Sequence, residues 1–248
     1  MSNSPSQSTP SSCPGVIVIA GYGPSIGEAT SRLFGKKGYS VACLGRTLSK
    51  LEAGVERLQA DGISAASFVV DCGNSATVKD TIRKVQRQLG RIAVILWNAA
   101  SYSGGDLFST DEDPNELLSQ IVSVGCGGLL AAVQAAHSDL KATKGSILIT
   151  GGGLSIYDEQ VDAIAVQNNW MGLAFCKSSQ RKLAGLLHQR LKPDGIMVGT
   201  VVISGAAGDG EDATDPTTVA EKYWELHTAR KQTEIHLGSL QALASKLE

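Results

Sequence analysis

The sequence is poor in charged residues and has no excess of basic ones. Charged residues form 19% of the 248-residue chain, below the roughly 25% of an average globular protein, which excludes a charge-rich disordered protein. The 22 lysines and arginines are outnumbered by 24 acidic residues, so the net charge is −2 and a nucleic-acid partner is disfavoured. No apolar run approaches the roughly 20 residues that cross a bilayer, so we expect no membrane span.

Patterns of metal-binding and disulfide sites are also lacking. The sequence has no CxxC pair and no close pairing of cysteine with histidine, so we predict free thiols and no metal site. An odd number of cysteines without a secretory signal is typical of a reducing compartment, and we expect the cytoplasm. The five cysteines are Cys13, Cys43, Cys72, Cys126 and Cys176.

The sequence does contain a regular alternation of strand and helix patterns. Residues 1–14 are rich in serine, threonine and proline, which predicts a disordered tail. Val16–Ala20 is a largely β-branched run, typical of a strand buried on both faces, and a helical pattern follows it. The alternation continues without a linker, so we predict one domain over residues 15–237 and a C-terminal tail over 238–248.

The predicted topology is a parallel sheet with helices on both faces and a ligand at the carboxyl ends of its strands. We therefore predict a single doubly wound α/β domain with a parallel sheet of about seven strands. The predicted strands begin near Val16, Val41, Phe68, Ile92, Ser146, Ile196 and Glu234. Two long helical regions are predicted over 114–140 and 170–191.

A glycine-rich turn after the first strand predicts a phosphate site. It lies between a buried strand and an amphipathic helix, where backbone N–H groups and the helix dipole favour a pyrophosphate. A glycine-rich turn without a ligand is the alternative. The predicted contacts are Gly21, Gly23, Ser25, Ile26 and Gly27.

The end of the second strand favours NADP(H) over NAD(H). An acidic residue usually holds the ribose 2′-hydroxyl of NAD, whereas an arginine accommodates a 2′-phosphate. Here Arg46 and Thr47 follow the strand, and no acidic residue occurs before Glu52. A solvated arginine at a helix start is the alternative interpretation of Arg46.

Several motifs together resemble the short-chain dehydrogenase/reductase family. Gly21–Gly27 resembles its TGxxxGIG loop, Asp71 stands where its aspartate contacts adenine, and Trp97–Ala100 resembles its NNAG motif. Lys177 stands 18 residues before Gly195, which matches the spacing from the family's lysine to its sixth strand. The resemblance implies a Rossmann-like domain. The further cofactor contacts that it implies are Asp71, Cys72, Asn98, Ala99 and Lys177.

The same resemblance fails at three of the four catalytic positions. The family's tyrosine falls at Leu173, its serine within Gly151–Gly153, and its helix asparagine at Gly125. Only Lys177 is retained, so we predict an atypical active site. Because a leucine cannot protonate the alkoxide formed by hydride transfer, another donor or another reaction is required.

Candidate substitutes lie after the fifth strand. Tyr157 is the candidate proton donor, with Ser155 nearby, and Asp158 and Asp162 could pair with a cationic substrate. Tyr102 and Asp106, after the fourth strand, are expected to face the same ligand site at the carboxyl ends of the strands. A polar loop over the site is the alternative interpretation for all of them.

Three functions follow from these residues. The first is an NADP(H)-dependent oxidoreductase acting on a small organic imine, iminium, enone or carbonyl compound. The second is a non-redox cyclase, isomerase or dehydratase of secondary metabolism, and the third is a catalytically silent nucleotide-binding protein. The resemblance also implies a homo-oligomer, a dimer or a tetramer, with a small-molecule substrate as the partner.

Overall fold

The described part of the chain folds around one sheet of seven strands. The computed structural model describes residues 13–108, 111–205 and 214–239, so the predicted tails lie almost wholly outside the described residues. The strands are β1 (Val16–Ala20), β2 (Ser40–Gly45), β3 (Ala65–Val69), β4 (Ile92–Trp97), β5 (Ser146–Gly152), β6 (Met197–Ser204) and β7 (Glu234–Gly238). All pairings are parallel, in the order β3-β2-β1-β4-β5-β6-β7. The predicted single doubly wound, Rossmann-like α/β domain is therefore confirmed.

Helices cover both faces of the sheet. They are α1 (Ile26–Lys36), α2 (Leu48–Ala60), α3 (Ser75–Leu89), α4 (Pro114–Val122), α5 (Leu129–Thr143), α6 (Glu159–Gln167), α7 (Met171–Leu191) and α8 (Pro216–Ala229). Side chains of Asn74, Asp113, Asp158 and Asp215 accept backbone N–H bonds at the starts of four of them. Such caps are each worth about 1 kcal/mol.

The alternation along β1 explains why the sheet is buried on both sides. Val16, Val18 and Ala20 face the apolar cluster formed with α3, α5 and α7. Ile17 and Ile19 face the opposite cluster, formed with α1, α2 and α8. Each such side chain stabilises the fold by roughly 1.5–3 kcal/mol relative to exposure.

Helix α6 is the element that the sequence analysis did not predict. The segment between β5 and the long helix α7 was treated as a polar loop. Asp158 caps α6 by accepting from the N–H groups of Gln160 and Val161, and Val161 and Ile164 are buried. The helix is short and mostly exposed, so its apolar pattern is too brief to stand out in the sequence.

A continuous helical stretch runs from Pro114 to Thr143 through the π-helical segment Ser123–Gly128. By length and composition alone it is apolar enough to cross a membrane, a property that core helices of soluble proteins share. It packs instead on α3, β4 and α7, as a core helix does. Its π-helical segment lies beside the site described next.

The chain reverses its direction of winding between β1 and β4, which are neighbours in the sheet. Crossovers from β1 lead to β2 and β3 on one side, and the chain then returns to β4 and continues to β7 on the other. In open α/β sheets the crevice at this switch point is where ligands bind.

Candidate functional site

A cavity of about 520 Å³ opens at the carboxyl ends of the strands. The loop after β1 forms one side of it with residues 23–27, and Asn98 follows β4 in its floor. Residues 150–154 continue the floor, and Leu173 and Lys177 of α7 close the other side. The cavity therefore joins the predicted phosphate loop to the predicted catalytic lysine.

The glycine loop is shaped for close backbone approach. Gly21 has a φ of +80°, and a Cβ there would lie 2.6 Å from the backbone nitrogen of Ala99, so only glycine fits. Ser25 precedes α1, and its buried hydroxyl has no hydrogen-bond partner among the described residues. A phosphate oxygen at this helix start would accept from that hydroxyl, so the loop fits a phosphate-bearing cofactor.

A buried hydrogen-bond chain braces the floor of the cavity. Thr150 Oγ1 donates to Asn98 Oδ1 at 2.8 Å, and Asn98 Nδ2 donates to the carbonyl oxygen of Gly21 at 2.9 Å. The Tyr223 hydroxyl lies 2.7 Å from Thr150 Oγ1. Because the single hydroxyl hydrogen of Thr150 is directed at Asn98, Tyr223 donates to Thr150. The chain thus links α8, β5 and β4 to the glycine loop.

Lys177 is buried at the inner end of the cavity. Its ammonium donates to the carbonyl oxygen of Thr150 at 2.8 Å and to Gln180 Oε1 at 3.4 Å. Both acceptors are neutral, and burial lowers the pKa of Lys177 to about 8. At neutral pH the group is mainly protonated and can stabilise negative charge or donate a proton in the cavity.

The residues next to Lys177 have an apolar side chain or, in the case of glycine, no side chain. Leu173, one turn earlier on α7, lines the cavity. A Cβ added at Gly152 would lie 3.5 Å from Lys177 Cγ, which is ordinary contact distance. Position 152 therefore faces the lysine and has room for a small side chain.

The residues predicted to contact the ribose and adenine lie at the ends of β2 and β3. Arg46 and Thr47 are exposed after β2, and Asp71 is exposed after β3, where it accepts from the N–H of Gly73 at 2.9 Å. Cys72 is buried, and burial raises its thiol pKa to about 11, although the positive charge of Arg46 lowers it. Arg46 therefore lies near Cys72, just beyond the end of β3.

Four predicted catalytic residues are not among those that line the cavity. Tyr157 is 98% exposed, so its hydroxyl points to solvent. Asp158 is occupied in capping α6, and Asp162 is exposed on that helix. Ser155 is buried with a partnerless hydroxyl, outside the lining residues. The unexpected helix α6 accounts for the two aspartates, because Asp158 caps its start and Asp162 lies on its exposed face.

Several lining or supporting residues were not among the predicted site residues. Trp170 lines the cavity, and Thr150, Gln180 and Tyr223 support its floor; Tyr102, which was expected to face this opening, lines it too. Gln180 could have been found from the sequence, since it is a polar residue three positions after Lys177 on the buried stripe of α7. Thr150 and Tyr223 meet only through the fold, and no local pattern joins them.

Comparisons with known proteins point to the short chain dehydrogenase family. A model of the short chain dehydrogenase family matches residues 15–164. The human short-chain dehydrogenase/reductase 3 is 31% identical over 98 residues, which cover 39% of this chain and 32% of that protein. The 2,3-dihydro-2,3-dihydroxybenzoate dehydrogenase of Bacillus subtilis (strain 168) is 26% identical over 136 residues, covering 55% and 51% of the two chains. The matched part thus spans about a third to a half of these relatives.

Solved structures share the fold at low identity. A metagenomic short-chain oxidoreductase in complex with NADP superposes with a TM-score of 0.74 and 20% identity, covering 90% of this chain and 95% of that one. An NADPH-bound short chain oxidoreductase of Pseudomonas aeruginosa PAO1, described as containing an atypical catalytic center, also gives 0.74, with 17% identity and coverage of 90% and 93%.

Proposed function

Because this chain belongs to the short-chain dehydrogenase family, we propose that it is an NADP(H)-dependent oxidoreductase with a non-standard catalytic centre. The observation that carries the proposal is the single cavity that holds both the glycine loop and Lys177. Its small-molecule substrate would occupy the inner part, beside Leu173 and Lys177. The reaction would be hydride transfer between the nicotinamide and that substrate.

The outer part of the cavity supports the cofactor. The partnerless hydroxyl of Ser25, the close approach at Gly21 and the start of α1 suit a pyrophosphate. Arg46 at the end of β2 suits the 2′-phosphate that distinguishes NADP from NAD. NADP-bound and NADPH-bound neighbours with the same fold support the same assignment.

The inner part supports a catalytic centre that lacks the usual tyrosine, serine and asparagine. The residues at the cavity positions beside Lys177 are Leu173 and Gly152. Neither has a side chain that can donate a proton. The Pseudomonas neighbour with an atypical catalytic center shows a precedent on this fold. In this chain Lys177 would hold the nicotinamide ribose or stabilise the developing oxyanion.

The polarity of the cavity bears on the substrate. Among the described lining residues Lys177 is the only one charged at neutral pH, and none is a carboxylate. Tyr102, Leu154 and Trp170 add apolar and aromatic surface. A neutral enone or carbonyl compound fits this lining better than a cationic iminium, whose expected partners Asp158 and Asp162 lie elsewhere.

A non-redox enzyme on the same fold is the second candidate. The apolar wall of Leu154, Trp170 and Leu173 around one lysine would also suit a cyclase, isomerase or dehydratase acting on a bulky metabolite. Turnover of such a substrate without added NADP(H) would favour this candidate over the first.

The first test is a fluorescence titration of the protein with NADPH and with NADH. We expect NADPH to bind more tightly, and Arg46→Ala to weaken NADPH binding far more than NADH binding. The control is Arg87→Ala, which removes an exposed arginine on α3 and should change neither affinity. Absence of binding of either dinucleotide would refute the oxidoreductase proposal, and equal losses with Arg46→Ala would refute the 2′-phosphate assignment.

We also propose a homo-oligomer built through α5 and α7. Large apolar side chains are exposed there, namely Leu130, Phe175 and Leu186. Burying them against a second copy would remove apolar area from water. Light scattering after gel filtration should give a dimer or tetramer mass, and a monomer at micromolar concentration would contradict the proposal.

A further inference from the structure

Gln180 joins Lys177 to the π-helical segment on the neighbouring helical stretch. Its Oε1 accepts from Lys177 Nζ at 3.4 Å, and its Nε2 donates to the carbonyl oxygen of Gly125 at 3.0 Å. The Gln180 side chain is 1% exposed, so water does not compete for either bond. Both ends of the carboxamide are therefore used, which fixes its orientation.

Gly125 and Gln180 are sterically complementary. A Cβ at position 125 would lie 2.5 Å from Cys176 Sγ and 3.7 Å from Gln180 Nε2. A side chain at 125 would thus collide with the thiol and point toward the Gln180 amide. The glycine leaves this space open, and the carboxamide of Gln180 reaches into it from α7.

We propose that Gln180 is the residue that positions Lys177, through a carboxamide held between the ammonium and the carbonyl oxygen of Gly125. With Thr150, it engages two of the three N–H groups of the ammonium and leaves the third for a ligand in the cavity. This inference relies on the proposed function only for the identity of that ligand. The role of Gln180 is to orient the lysine, not to touch the substrate.

The pKa of Lys177 should respond mainly to changes at Gln180, because of the groups that surround the lysine. The titratable neighbours among the described residues are Cys176 on the same helix, Cys126, Tyr102 across the cavity and Tyr223 behind Thr150. Burial raises the pKa of Cys176 and of Tyr223, so both stay neutral at ordinary pH. Removing or charging the Gln180 acceptor is therefore expected to dominate any change at Lys177.

The experiment follows the titration of Lys177 by NMR, in protein made with isotope-labelled lysine and assigned with Lys177→Arg. Gln180→Met removes an acceptor for the ammonium, so we expect a lower pKa of Lys177. Gln180→Glu keeps the side-chain length, loses the N–H donor to Gly125 and places a carboxylate beside the ammonium, so we expect a higher pKa of Lys177. The control is Gln189→Met, an exposed position on α7, which should leave the titration unchanged.

The second readout is the NADPH affinity of the same variants. We expect Gln180→Met to weaken it by about tenfold and Gln180→Glu by less, with Gln189→Met unchanged. A Lys177 midpoint identical in Gln180→Met and the unaltered protein would overturn the positioning role. Should Gln180→Met fail to fold, Gln180→Glu decides alone by whether the midpoint rises. If the unaltered protein binds no NADPH, the proposed function fails, while the NMR titration still tests Gln180.

Discussion

Replacing Thr150 by valine tests the hydrogen-bond chain beneath the cavity. Valine keeps the branched shape but loses the hydroxyl that donates to Asn98 and accepts from Tyr223. Tyr223 is completely buried, so its hydroxyl would then have no acceptor. Asn98 lines the cavity, so its stranded oxygen can be reached by water.

The cost follows from what each group loses. A buried polar group left without a partner costs about 1–3 kcal/mol, and the Tyr223 hydroxyl is such a group. The partly accessible oxygen of Asn98 adds less, so we expect Thr150→Val to lower the free energy of unfolding by about 2–4 kcal/mol. Tyr223→Phe removes only one hydrogen bond and strands no donor, so about 1 kcal/mol is expected.

Urea unfolding followed by tryptophan fluorescence measures both variants and their combination. Because Tyr223→Phe removes the stranded hydroxyl, the double variant should be more stable than Thr150→Val alone. Tyr223→Phe would thus lower the free energy of unfolding of the unaltered protein but raise that of Thr150→Val. Two independent packing effects would not produce this difference, whereas a hydrogen-bond chain would. A double variant less stable than Thr150→Val, by the full cost of Tyr223→Phe, would refute the reasoning.

Three further predictions concern acid stability, helix packing and the catalytic position. Burial lowers the pKa of His227 to about 4 against 6.5 in the unfolded chain, so its contribution to stability is present above pH 6.5 and lost toward pH 4, by up to about 3 kcal/mol. In His227→Gln, the free energy of unfolding measured with urea should change less between pH 6.5 and pH 4. The same pH dependence in the variant and the unaltered protein would contradict this prediction. Gly172→Ala should lower the melting temperature, since its Cβ would collide with loop carbonyl oxygens after β4, whereas Gly185→Ala, with open space, should slightly raise it; equal melting temperatures would contradict this. Leu173→Tyr with Gly152→Ser should raise NADPH-dependent ketone reduction measured by absorbance, and no gain would show that the missing donor does not limit this reaction.

Much of the fold could be predicted from local patterns. The alternation of Val16–Ala20 is a strand buried on both faces because neighbouring residues contact opposite clusters. Gly90, with a φ of +103° that glycine adopts readily, ends α3. Helix α6 was missed because an exposed nine-residue helix carries too few apolar residues to set a period.

Some residues of the candidate site could be predicted from local sequence motifs, and others come together only in the folded chain. Gly23, Ser25 and Asn98 line the cavity and lie within short motifs, so they could be predicted from the sequence alone. Tyr157 was placed by its distance along the chain from β5, but the chain turns there and exposes it. Thr150 and Tyr223 are 73 positions apart and become partners only through the order of the strands.

The glycines of the π-helical segment Ser123–Gly128 also decide how this protein could be re-engineered. A Cβ at Gly125 would collide with Cys176, and one at Gly128 would collide with the backbone oxygen of Cys72. Mutational libraries that vary these positions would mostly yield misfolded clones. The loop after β4 contributes Tyr102, whose side chain is largely exposed, so new substrate ranges are best sought there.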